Sequence, residues 1–160
     1  MKFFHGLFVI LFLTSVTPLW AGGKKQPEVG LAFHTETEGG ENPKMVFTQF
    51  VSGQERVFRR VPEVTSKDIQ AFNPFPSQDG QGFGVLLKLK PGAINRWAAV
   101  TASNSGKWMV SRVNGRIVDA VRIDQQVSDG EIVIWKGLSI SEVNQMDKSI
   151  PRIGEDKPRG

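Results

Sequence analysis

The chain contains no cysteine and no tyrosine, and it has two histidines among 160 residues. Each shortage removes a class of chemistry. Without cysteine there is no disulfide framework, no Cys–His catalysis and no lipidated N-terminal cysteine. His5 lies in the apolar N-terminal segment, so His34 alone is left to the rest of the chain, and a multi-histidine metal site is excluded. A Ser-His-Asp arrangement would have to use His34, yet no G-x-S-x-G elbow is present to hold the serine. Long apolar runs are scarce too: beyond the N-terminal segment none approaches the ~20 residues that a membrane-spanning helix needs.

What is present begins with MKFFHGLFVILFLTSVTPLWA, residues 1–21. One lysine precedes an apolar run from Leu7 to Val16, and Pro18 and the small residues Ala21, Gly22 and Gly23 follow it. That is the layout of a secretory signal peptide cleaved after Ala21. Leu19 is bulkier than the residue usual two positions before such a cut, so retention as an N-terminal anchor is the alternative. GGKKQPE, residues 22–28, reads as a flexible leader. These features predict an exported protein, periplasmic or extracellular, with a single domain over residues 29–150.

The formal charge is +4, or +3 once Lys2 leaves with the signal segment. The basic residues alternate with acidic ones instead of gathering on one face, which argues against a nucleic-acid partner. GQGFG, residues 80–84, superficially resembles a phosphate loop, but it precedes a strand and not a helix N-terminus, so no nucleotide or other cofactor is expected. Asp119 with Asp124 or Asp129 could form a carboxylate pair, although proximity in sequence does not by itself make an acid and a base.

The pattern of elements predicts an α+β fold, with a largely antiparallel sheet backed by two or three helices in two layers. GLAFHTETE, KMVFTQFV, ERVFRRV and GFGVLLKLK read as strands, and VTSKDIQAF as a short helix capped by Thr65 or Ser66 and ended by the prolines and glycines of NPFPSQDGQG. PGAINRWAAVTASNSG places Ile94, Trp97, Ala98 and Thr101 on one apolar helix face. In GKWMVSRVNGRIVDAVRI, Asn114-Gly115 is a type I′ hairpin signal that sets the hairpin at the centre of the sheet. EIVIWKG follows as a strand, and LSISEVNQMDKSIP as a helix with a Ser139–Glu142 capping box and a buried stripe of Ile140, Val143, Met146 and Ile150. Residues 151–160 are polar enough to be a disordered tail.

Within the hairpin, Trp108, Val110 and Arg112 face one way and Met109, Ser111 and Val113 the other. The first set joins an aromatic to a cation, the composition of a contact surface. Trp108 and Arg112 are therefore the expected binding residues, with Arg122 on the neighbouring strand beside them. Burial of Trp108 in the core is the competing reading.

Several short motifs come in a familiar order: Val64 to Ile69, the helix with Trp97 four residues before Thr101, Asn104 to Lys107, the turn at Asn114-Gly115, and Gly137 to Glu142. Over residues 62–147 the chain resembles the periplasmic head of the first large extracytoplasmic domain of SecD, the accessory subunit of the bacterial preprotein translocase. It departs from that pattern at Ala120-Val121, where SecD-like chains usually have Ala-Pro, and at Asp129-Gly130, where they have Gly-Gly. The six membrane spans that anchor SecD have no counterpart in this sequence. The resemblance implies an exported, non-enzymatic interaction module whose partner is a protein or an unfolded polypeptide in the cell envelope. The alternatives are a small enzyme using a carboxylate pair and a structural envelope protein.

Overall fold

Two tight turns organise much of the chain. Ser52-Gly53 has φ values of 51° and 79°, and Asn114-Gly115 has 49° and 81°, so both residues of each turn occupy the left-handed region that a type I′ connection demands. Ser52-Gly53 joins β2 (Val46–Val51) to β3 (Gln54–Arg59), and Asn114-Gly115 joins β7 (Trp108–Val113) to β8 (Arg116–Arg122). In this computed structural model the described residues are 28–38, 40 and 42–159. The expected signal peptide and all of the leader except Glu28 lie outside them.

The other strands are β1 (Leu31–Thr35), β4 (Val64–Thr65), β5 (Ile69–Pro76), β6 (Phe83–Leu89) and β9 (Glu131–Leu138); the helices are α1 (Pro91–Ser103) and α2 (Ile140–Ser149). Every ladder is antiparallel, and the fold is α+β without a closed barrel. The strands form three sheets, ordered β4-β1-β7-β8, β2-β3 and β5-β6-β9. Strand β7 is interior to the first sheet, whereas β8 lies at its edge, and β9 pairs with β6 and not with the hairpin that precedes it.

One large core joins the inner faces of the four- and three-stranded sheets to both helices, through residues such as Phe33, Phe72, Leu87, Trp97, Ile134 and Met146. A smaller core, with Val51, Phe58 and Val110 at its centre, lies on the opposite face of the four-stranded sheet, where the β2–β3 hairpin covers it.

Four local expectations come out differently. Residues 66–68 form only a 3-10 turn, closed by Thr65 and Asp68 in a capping box, and the chain then enters β5 at Ile69. Pro74 and Pro76 sit inside β5 because it is an edge strand: both share their parity with Phe72, whose N–H points away from β6, so neither proline removes a ladder bond. The outward groups of Phe72 are met by the segment expected to be disordered. Phe72 donates to Pro151 O (3.0 Å), Ile153 donates back to Phe72 O (2.9 Å), and Arg152 lies 4.7 Å over the Phe72 ring. On α2, Ile140 is 58% exposed, while Glu142 is buried because its carboxylate accepts from Ser139 N (2.8 Å) and from Arg116 Nη2 (2.9 Å).

The two larger sheets meet at β8 and β9 without a backbone ladder. A bulge in β8, between the positions opposite Ser111 and Arg112, brings Asp119 to β9, where its Oδ2 accepts from Trp135 N (2.7 Å). Close approach is then possible only where β9 has no side chain: a Cβ at Gly137 would stand 2.5 Å from Val118 O, and φ there is +89°. Gly115 has a similar φ, +81°, but open space around it. Gly115→Ala should therefore cost about 1–2 kcal/mol from backbone strain alone, and Gly137→Ala on the order of 3 kcal/mol once overlap with the neighbouring strand is added. Chemical denaturation of the two variants checks this, and equal losses would show that the β8–β9 contact gives way freely.

Candidate functional site

Trp108, Val110 and Arg112 do share a face, and it is the face over which the β2–β3 hairpin lies. Glu36, just beyond β1, fixes the hairpin there with both carboxylate oxygens: Oε2 accepts from Trp108 N (2.8 Å) and Oε1 from Arg56 Nη1 (2.8 Å). The Arg56 guanidinium in turn stands 5.4 Å from the Trp108 ring centroid, a cation–π contact. Arg112 sits 4.4 Å over the Phe47 ring, and its Nε is buried without a hydrogen-bond partner. Both expected contact residues are thus half-buried beneath the hairpin.

Arg122 is the exposed member of the expected set. It lies directly across the ladder from Trp108, and its Nε donates to Gly106 O (2.9 Å). The structure therefore brings Trp108 and Arg122 together at one end of the hairpin and leaves Arg112 four residues along the strand, about 13 Å away. Arg56, which completes the Trp108 corner, is missed by sequence reasoning. In an alternating Arg-x-x-Arg-Arg strand it looks like any solvated cation.

Beside Arg122 the two large sheets part. They are closed at Asp119 and Gly137 and separate towards Ile123 and Glu131, leaving a cleft of 580 Å³ whose lining includes Trp97, Met109, Val121, Arg122, Asp129 and Trp135. Strands β8 and β9 each have a ladder on one side only, so two sheet edges border this opening. Its floor includes Trp97, buried to 2% exposure, whose indole Nε1 meets no hydrogen-bond partner. Thr101 ties the far wall down by accepting from Val127 N (2.9 Å). Trp135 is 53% exposed and packs edge-on against Phe75, with 6.2 Å between centroids.

The residues considered for catalysis have structural occupations. Asp119 closes the sheet junction, and Asp129 Oδ1 accepts from Glu131 N (2.9 Å) in a turn. Among the described residues no three His, Asp or Glu side chains converge in a way that could hold a metal ion. His34 is buried, its Nδ1 is 2.9 Å from Arg59 O, and its ring stands edge-on to Phe47 with 5.2 Å between centroids.

No protein-family model matches this chain, and no curated protein matches it. Solved structures do resemble it. One is of SecDF, described as a membrane component that enhances protein export: TM-score 0.53 and 20% identity over 74% of this chain and 60% of that one. A second, SecDF in a super-membrane-facing form, gives a TM-score of 0.50 and 22% identity over 72% of this chain and 17% of the other. The likeness is one of fold, and this chain spans only part of either protein.

Burial holds the His34 imidazole below its ordinary value of 6.5, and the nearby Arg112 charge works in the same direction, against the Arg59 carbonyl and Glu63. A lowered folded-state value means that the neutral form is the one folding favours. The stability this confers is complete above about pH 6.5 and is lost as pH falls through the folded-state value. His34→Gln should flatten the acid side of the stability profile below about pH 6.5. Melting temperatures of the two proteins across that range measure it, and parallel profiles would show that His34 does not titrate with unfolding.

Proposed function

We propose that this domain is an exported, non-enzymatic interaction module of protein export, which holds an extended segment of unfolded polypeptide or of an envelope protein at the cleft between β8 and β9. The observation that carries this reading is the cleft itself, an opening between two sheet edges with the buried Trp97 in its lining. Main-chain groups of an extended chain suit an opening of this kind, because strand edges offer hydrogen bonds without regard to sequence while neighbouring side chains select.

Trp108, Arg112 and Arg122 have unequal parts in this reading. Arg122 supplies charge at the cleft mouth, whereas Trp108 and Arg112 lie on the other face of the four-stranded sheet, beneath the hairpin, and support the strand from there. The fold shared with SecDF, a component that enhances protein export, supports the same reading. The His34 imidazole, engaged by the Arg59 carbonyl and the Phe47 ring, has a structural task in place of a catalytic one.

A fluorescently labelled, permanently unfolded carboxymethylated polypeptide tests the proposal by anisotropy. Arg122→Glu should weaken its binding about tenfold, a loss of about 1.4 kcal/mol, and should do so more at low salt than at high. Trp108→Ala should cost stability moderately, because its ring is half-buried against the smaller core, and should change binding less than Arg122→Glu does. Unchanged affinity in Arg122→Glu, or no binding of the polypeptide by the wild-type protein, would overturn it.

A further inference from the structure

The smallest sheet has an edge that nothing described covers. Strand β2, VFTQFV, pairs with β3 on one side and with no described strand on the other. The tight turn pairs Val51 with Gln54, and Arg60 N donates to Met45 O (2.7 Å) at the other end. Residues 45, 47, 49 and 51 therefore direct their backbone groups to β3, and Val46, Thr48 and Phe50 direct theirs outward. Two outward carbonyls are occupied, Val46 O by Arg60 Nη2 (2.8 Å) and Phe50 O by Gln49 Nε2 (3.3 Å), through an exposed and a half-buried side chain that can be displaced. The usual protections are missing: β2 holds no charged residue, no proline and no bulge.

The side chains fit the same picture. Phe50 is 68% exposed, and Met45 and Val61, at the open end of the ribbon, are 47% and 60% exposed. Val46, Thr48 and Phe50 all lie on the face turned away from Phe47, Phe58 and the smaller core.

We infer that β2 pairs with β2 of a second copy of this chain, antiparallel, about a two-fold axis at Thr48. Opposed residues in an antiparallel ladder must have the same hydrogen-bonding direction. Outward Thr48 then faces Thr48 of the other copy, and Val46 of each copy faces Phe50 of the other. The register is self-complementary, since it sets an aromatic ring on a β-branched side chain twice and puts no charge at the axis. It also turns a two-stranded ribbon, marginal as a sheet by itself, into a four-stranded one ordered β3-β2-β2-β3. Because one patch meets the same patch, the assembly closes at two copies and does not grow into a fibre.

Sedimentation equilibrium of the purified protein should show dimers whose fraction rises with concentration. Thr48→Lys sets two cations face to face on the axis and should give a monomer whose melting temperature matches that of the wild-type protein at concentrations too low for it to dimerise, because the Thr48 side chain is exposed and its backbone groups do not serve β3. The absence of cysteine allows a second measurement. Opposed residues in a hydrogen-bonded pair lie about 5.5 Å apart at Cα, within disulfide reach, so Thr48→Cys should cross-link under mild oxidation whereas Gln54→Cys should not. A monomer at every concentration, a dimer that survives Thr48→Lys, or capture of a foreign extended peptide by this edge without self-association would each overturn the inference.

Discussion

The placement of the two large sheets depends on one carboxylate. Asp119 is buried, and at β9 it takes the position that a strand backbone would otherwise occupy, accepting from Trp135 N while its other oxygen accepts from its own neighbour Ala120 N (2.9 Å). A side chain is shorter-ranged than a ladder, so it joins the sheets at one point and permits them to part elsewhere. Arg116 strengthens the closed end by donating to Gly137 O (2.9 Å) and to the Glu142 carboxylate of α2. Burial raises the Glu142 carboxyl, but the bonds from Ser139 and Arg116 outweigh it and leave its pKa lowered, which keeps this anion available at the helix N-terminus. The cleft beside Arg122 is the geometric consequence of a junction made at one end only.

A second carboxylate organises the opposite face in a similar way. Glu36 receives both the Trp108 N–H and the Arg56 guanidinium, and the bridge between Glu36 and Phe58 continues the chain of β1 into the hairpin. Phe47 and Phe58, stacked 5.7 Å apart, then fill the space beneath. The hairpin is held by its inner side chains and by β3, so nothing in its attachment requires the outer edge of β2. That separation is what allows the edge to be open without weakening the fold.

Much of the fold was legible because turn chemistry and periodicity agree. Ser52-Gly53, Asn114-Gly115 and the Ser139–Glu142 capping box each mark an element that is found where their chemistry puts it. The misread segments are those in which tertiary partners override local preference. Pro74 and Pro76 look like breakers until the strand that carries them is known to lie at an edge, and residues 151–159 look too polar to pack until Phe72 offers them backbone bonds. The candidate site was less legible still. Alternation assigned Trp108 and Arg112 to one face, but it cannot say which faces are covered, and the hairpin that covers this one comes from far earlier in the chain, through Arg56 over Trp108 and Phe47 under Arg112. The cleft has no local signature, because it arises where two strands fail to pair.

The treatment of exposed strand edges differs across the molecule. On β5 the prolines remove two outward donors, and the C-terminal segment satisfies the groups of Phe72 between β5 and solvent. At the β8–β9 junction, Asp119 and Arg116 occupy outward groups with side chains. Only β2 among these edges combines an uncharged sequence, regular pairing geometry and a protruding aromatic, Phe50. A chain that closes parts of other edges by three separate devices has the means to protect this one as well, and a single lysine at position 48 would suffice. The uncovered edge is therefore better understood as a surface that is occupied by pairing than as one left without protection, and its self-complementary register makes another copy of the chain the occupant that fits it.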